Sequence, residues 1–191
     1  APKDETELKN MMYTASIAEE GPFIIRYPRG YGEGTDWKNM EFETMEPGKG
    51  ELLLKGTDIA VIAAGPSANR ALEAALKIKE ETGWNPSIYN IRYIKPIDTG
   101  LMEAVAGSYG KIITIEDGCI MGGLYGAVSE YIAQKENPVP VRAVGIPDRY
   151  ISQGTQEELK EECGLTNEAI YSILVSEKEK ICKKDEKVLE I

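Results

Sequence analysis

Asp58-Ile59-Ala60-Val61-Ile62-Ala63-Ala64-Gly65-Pro66-Ser67 is the stretch whose reading decides the fold. It begins as a short apolar run rich in β-branched residues, the composition of a strand buried on both faces of a sheet. Gly65 breaks the strand, and Pro66 suits the first turn of a helix, where its missing N–H costs nothing. From Ser67 to Glu81 the residues Ala68, Ala71, Leu72, Ala75, Leu76 and Ile78 recur at helical spacing, with Lys77, Lys79, Glu80 and Glu81 left for water. Strand, turn and helix together are the repeating unit of a parallel α/β sheet.

Downstream, the same alternation continues. Glu51–Lys55 reads as a short strand before the central one, and Ser87–Tyr93 as a strand after the turn Gly83–Pro86. Asp98 or Thr99 caps a short helix through Ala106, and Lys111–Glu116 is a further buried strand. A glycine-rich loop, Asp117–Gly123, opens a helix to about Gln134, and Val141–Gly145 is the last strand. Thr155-Gln156-Glu157-Glu158 has the spacing of a capping box and starts a helix ending near Gly164. A final helix begins at Thr166–Glu168, and the charged tail from Lys183 is expected to fray. Residues 51–191 are therefore expected to form a three-layer, open, mostly parallel five-stranded α/β sheet.

Upstream, Asp4–Glu20 reads as a helix capped by Asp4 or Thr6, with Leu8, Met11, Met12 and Ile17 on its apolar face. Phe23–Tyr27 reads as a strand stopped by Pro28. Residues 31–50 have no sustained period and read as a linker. A lone helix and strand cannot bury their apolar faces unaided, so residues 1–30 are expected to be the remnant of another α/β domain.

Composition narrows the function classes. The 191 residues carry a formal net charge of −10. That acidity argues against nucleic acid or an anionic membrane as partner. No apolar run approaches the roughly 20 residues of a membrane span, and Ala1-Pro2-Lys3-Asp4-Glu5 lacks the layout of a signal peptide. Cys119, Cys163 and Cys182 are widely spaced without a CxxC pair, which argues against a zinc site or disulfide framework and fits a cytoplasmic protein. The chain has no histidine, so no His-based mechanism is complete within it.

Several groups are candidates for chemistry. In Ile25-Arg26-Tyr27-Pro28-Arg29-Gly30 two arginines flank a tyrosine and proline where a strand is expected to end, and strand ends line ligand crevices in parallel sheets. Arg29 there suits a bidentate grip on phosphate or carboxylate, with a surface salt bridge as the alternative. Gly122-Gly123-Leu124-Tyr125-Gly126 lacks the full GxGxxG fingerprint and suits a tight turn better than a phosphate loop. Gly65-Pro66-Ser67 is a helix start that can hold an anion or be an ordinary turn. Glu116-Asp117 is an acid pair or, more simply, a solvated loop or subunit contact, and nothing basic adjoins Cys119 in sequence to activate it.

These segments resemble the C-terminal third of the 1-deoxy-D-xylulose-5-phosphate synthases. The resemblance runs through Met11-Met12-Tyr13-Thr14, Arg26-Tyr27-Pro28-Arg29-Gly30, Arg92 to Asp98, Glu116-Asp117 with Met121-Gly122-Gly123, Gly145 to Asp148, Gln153 to Leu159 and Glu162 to Leu165. It implies an enzyme that joins pyruvate to glyceraldehyde 3-phosphate with loss of CO₂, feeding isoprenoid, thiamine and pyridoxal pathways, and that works as a homodimer with thiamine diphosphate and Mg²⁺. It implies that residues 1–30 close a pyrimidine-binding domain and that residues from 51 are a transketolase-type C-terminal domain. It further implies that Arg29, with Tyr27 beside it, holds the phosphate of the aldehyde substrate. The family's GDG motif, its cofactor-activating glutamate and its active-site histidines have no counterpart here. This chain alone is therefore expected to be inactive, to bind no cofactor and to supply no catalytic residue or metal ligand. The alternatives are the C-terminal domain of another transketolase-like enzyme or of a 2-oxo-acid dehydrogenase β subunit, and a stand-alone interaction module.

Overall fold

Every residue of Ile59–Ala64 is buried, as a strand covered on both faces requires. The computed structural model describes residues 1–19 and 21–189, with side chains through 183. Its elements are α1 (Glu5–Ile17), β1 (Glu51–Leu54), β2 (Ile59–Ala64), α2 (Ser67–Thr82), β3 (Ser87–Asn90), α3 (Thr99–Ala106), β4 (Lys111–Cys119), α4 (Leu124–Ile132), β5 (Val141–Ile146), α5 (Gln156–Glu162) and α6 (Asn167–Leu189). The strands form one sheet in the order β1-β3-β2-β4-β5. Neighbours are parallel except β1, which runs antiparallel to β3 at the edge.

Alternation along β2 builds two cores. Ile59, Val61 and Ala63 face a cluster shared with α2 and α6, including Ile78, Ile170 and Leu174. Ala60, Ile62 and Ala64 face the other side, with Met102 and Val105 of α3 and Leu124, Val128 and Ile132 of α4. Four buried alanines on α2, at positions 68, 71, 74 and 75, let that helix lie close to the sheet. Full burial of a larger residue such as Ile78 contributes roughly 1.5–3 kcal/mol. The three-layer, mostly parallel sheet expected from the sequence is present.

Several details differ from expectation. Phe23–Tyr27 is not a strand; it is extended chain with no sheet partner, and Ile24 is 90% exposed. A β-favouring run needs a neighbouring edge to become a strand, and none is offered here. Strand β4 continues beyond Glu116 to Cys119, so Glu116 is buried in the sheet rather than in a solvated loop. Met12 and Ile17 of α1 and Leu76 of α2 are exposed despite their helical spacing. Helix α1 ends at Ile17, and Glu20, where its end was expected, lies outside the described residues. Helix α6 carries on to Leu189 through the charged tail, whose Lys and Glu residues are good helix formers. Positions 190 and 191 also lie outside the described residues.

Residues 1–50 are fastened to the carboxyl side of the sheet by polar contacts. Asp4 caps α1 by accepting the Glu7 N–H at 2.7 Å. The buried Glu7 carboxylate accepts from Asn90 Nδ2 at 3.0 and 3.1 Å and from Arg92 Nε at 2.7 Å. Arg92 Nη2 reaches Glu51 at 2.5 Å, and Lys3 Nζ reaches the same carboxylate at 2.7 Å. Farther along, the 31–50 segment wraps α1: Glu43 N–H donates to Asn10 Oδ1 at 3.1 Å and Met45 N–H to Thr14 Oγ1 at 2.8 Å.

Glu177 locks α6 to the opposite, amino end of the sheet. It is 3% exposed and receives Lys111 at 3.0 Å, Arg142 at 2.6 Å and Lys180 at 2.7 Å. Burial opposes its charge, but the hydrogen bonds from these three cations outweigh it and hold the carboxyl down at about 2. A depressed carboxylate contributes stability that is full above its unfolded value of about 4.3 and is lost as pH falls toward 2. Because its partners are partly exposed, we expect Glu177→Gln to cost roughly 2–3 kcal/mol at pH 7. Between pH 7 and pH 2.5 the wild type should lose roughly 2 kcal/mol more than the variant, read by urea denaturation. Equal losses would remove Glu177 from the acid response.

Candidate functional site

From β2 the chain crosses to β3 on one side, while β4 lies on the other. The carboxyl ends of β2 and β4 therefore flank a topological switch point, where doubly wound sheets open a crevice. A cavity of about 530 Å³ lies there. It is lined by Pro66 and Arg70 at the start of α2, Asp117 of β4, Ile146 at the end of β5, Lys160 of α5 and the Tyr27–Glu33 segment.

Tyr27 and Arg29 both line this cavity. Arg29 is exposed and takes part in no ion pair among the described residues, so the surface salt bridge weighed as its alternative is absent there. The two residues reach the crevice without the strand expected to carry them. Phe23 meets Tyr93 edge-on with ring centroids 6.0 Å apart, and Gly30 lies against Gln156. A Cβ on Gly30 would run into the Gln156 side-chain amide, and its φ of 155° is one that other residues rarely adopt. The Arg-Tyr-Pro-Arg-Gly and Gln-Gly-Thr-Gln-Glu-Glu segments, far apart in sequence, thus touch. Helix α5 starts with the expected capping box between Thr155 and Glu158.

Arg70, Gln156 and Lys160 were not singled out from the sequence. Arg70 Nη2 donates to Asp117 Oδ1 at 2.5 Å and to Ser67 Oγ at 2.9 Å, while its buried Nε has no partner among the described residues. Its place in the first turn after the central strand was the available signal. Lys160 reads in sequence as one more charge on a wet helix face, and only the fold turns it toward the cavity.

Glu116-Asp117 proves to be two separate groups. Asp117 pairs with Arg70. Burial pushes the Glu116 carboxyl up, against N–H groups of Tyr125 and Leu124 and the charge of Arg26, which favour its ionised form. That carboxylate occupies the start of α4, so Gly123 lies against a protein carboxylate. Cys119 Sγ donates to Asp148 Oδ1 at 3.7 Å. No group of three or more His, Cys, Asp or Glu among the described residues has the arrangement of a metal site. No helix of the described residues is long and apolar enough to cross a membrane.

Residues 48–170 match the family model described as "Transketolase, C-terminal domain". The chain is 38% identical over 176 residues to the 1-deoxy-D-xylulose-5-phosphate synthase of Phocaeicola vulgatus, covering 92% of this chain and 28% of that protein. It is 40% identical to the synthase of the same name from Bacteroides thetaiotaomicron, covering 93% and 27%. The chain thus spans little more than a quarter of the length of these relatives. Among solved structures, one titled "Split gene transketolase, inactive beta4 tetramer" superposes with a TM-score of 0.61 at 33% identity, covering 70% of this chain and 42% of that one.

The contact at Gly30 is testable. Gly30→Ala is expected to cost about 1–2 kcal/mol in chemical denaturation, from the unfavourable φ and the clash with Gln156. Adding Gln156→Ala should recover the clash and leave the φ cost. Full recovery by the second change would mean that φ carries no penalty at this turn.

Proposed function

This chain belongs to the transketolase C-terminal domain family, and from that premise we propose that it is the C-terminal part of a 1-deoxy-D-xylulose-5-phosphate synthase. The complete enzyme joins pyruvate to glyceraldehyde 3-phosphate with loss of CO₂ and feeds isoprenoid, thiamine and pyridoxal synthesis. It works in the cytoplasm as a homodimer. In this reading residues 1–30 end a pyrimidine-binding domain, 31–50 link, and 51–191 are the transketolase-type C-terminal domain. Arg29 holds the phosphate of the aldehyde, with Tyr27 beside it.

One observation carries the role of Arg29. An exposed guanidinium without an ion-pair partner among the described residues lines a cavity at the carboxyl ends of the strands. A permanently charged, forked donor left unpaired in a concave site suits a phosphate. A phosphate remote from the reacting carbon offers binding energy that positions the aldehyde for attack. The cofactor is a different matter. Thiamine diphosphate supplies the carbanion-stabilising chemistry of this reaction when bound. The described residues do not fit it: they form no metal-ligating cluster and include no histidine. In this proposal the donors to Mg²⁺ and diphosphate come from the parts of the enzyme that this chain does not match.

A kinetic cycle in the complete enzyme tests the role of Arg29. Arg29→Ala should cost roughly 2–4 kcal/mol in kcat/KM for glyceraldehyde 3-phosphate. The loss should be much smaller for unphosphorylated glyceraldehyde, and KM for pyruvate should hold. Arg29→Lys keeps the charge but loses the fork, and should fall between. Equal losses on both aldehydes would make Arg29 structural and end the phosphate assignment.

A further inference from the structure

Glu116 is 1% exposed, yet its Oε2 has no hydrogen-bond partner among the described residues. Its Oε1 accepts the Tyr125 N–H at 3.3 Å. A buried carboxylate oxygen without a donor is costly, and its retention calls for a reason. The cation beside it is Arg26, whose Nη2 lies 3.8 Å from Oε2. This is the one ion pair that joins residues 21–33 to the sheet among the described residues.

Two glycines shape the seat. A Cβ on Gly118 would run into Arg26 Nη1 and stand 2.8 Å from Glu116 Oε2. A Cβ on Gly123 would stand 2.5 Å from both Glu116 oxygens. Neither glycine has a positive φ, so room for the carboxylate and guanidinium is what excludes a side chain there. Arg26 stands three residues before Arg29, and Pro28 between them restricts the backbone. Fixing one guanidinium therefore limits where the other can be.

We propose that Glu116 is a positioning residue, its buried carboxylate seating the Arg26 guanidinium and so fixing the Tyr27–Gly30 turn that presents Arg29. Neither Glu116 nor Arg26 need touch substrate. This gives the C-terminal domain a part in aldehyde recognition, and it rests on the reading of Arg29 as the phosphate-binding group.

The test combines kinetics in the complete enzyme with NMR on the 191-residue chain. Gly118→Ala fills the seat with a methyl group while keeping both charges, and presses on the end of the Arg26 side chain and on Glu116 Oε2. Glu116→Gln removes the charge. Both should raise KM for glyceraldehyde 3-phosphate about tenfold, with kcat, KM for pyruvate and turnover of unphosphorylated glyceraldehyde within twofold. In an Arg29→Ala background neither should raise KM further, and Arg26→Lys should retain most of the affinity. In the isolated chain Gly118→Ala should lower backbone order parameters at Tyr27, Arg29 and Gly30 and leave β2 unchanged. The proposal is overturned if both aldehydes lose affinity together. It is equally overturned if Arg29→Ala raises KM while Gly118→Ala and Glu116→Gln do not. Should Arg29→Ala leave the preference for the phosphorylated aldehyde intact, the phosphate assignment itself fails. The order parameters then decide the seat alone: a drop supports it and no change refutes it.

Discussion

The seating of α1 on the sheet depends on one buried carboxylate. Glu7 lies where α1 meets the end of β3, and it is only 4% exposed. Asn90 and Arg92 of the sheet side both donate to it. Arg92 reaches it from a left-handed backbone, with φ of 55°, a conformation that is unfavourable for a residue with a Cβ. Such strain persists only where surrounding contacts over-determine it. Here those contacts are Glu7 and Glu51, and they orient α1 so that Leu8 and the segment after it cover the crevice. Loss of one member of such a buried network leaves the others uncompensated, which is far worse than never having built it.

How much of this was legible follows from which signals are local. Strands β2 and β4 announce themselves because a strand buried on both faces needs an unbroken apolar run. The caps at Asp4, Asp98 and Thr155 were legible because a cap is a contact within three residues. Phe23–Tyr27 was misread for the converse reason: strand formation is a property of a pair of segments, and composition reports on only one of them. Glu116 was misplaced because an acidic residue after an apolar run looks like the end of a strand. Its compensation, two glycines and an arginine 90 positions upstream, has no local trace. Arg29 and Tyr27 stood out by their company with Pro28 and Gly30, whereas Arg70, Gln156 and Lys160 join the crevice only through the topology.

The crevice has an asymmetric charge arrangement. Arg70 is tied to Asp117 and Ser67, while Arg29 has no such tie among the described residues. One tied and one untied cation leave Arg29 as the group able to adjust to an incoming anion. Apolar residues that also line the cavity, among them Leu8, Ile146 and Leu165, lower the local dielectric and strengthen an ion pair formed there.

The antiparallel edge strand has a consequence for dividing the molecule. The recognisable domain begins at position 48, three residues before β1. A gene cut at that point would keep every strand and both cores. It would also remove Glu7, one of the two carboxylates that Asn90 and Arg92 share, and Lys3, which donates to the other, Glu51. The excised piece would keep the left-handed Arg92 with Glu51 as its one remaining carboxylate partner among the described residues. The contacts that hold the sheet's carboxyl rim therefore reach back to Lys3, 45 residues before the boundary drawn by sequence similarity at 48.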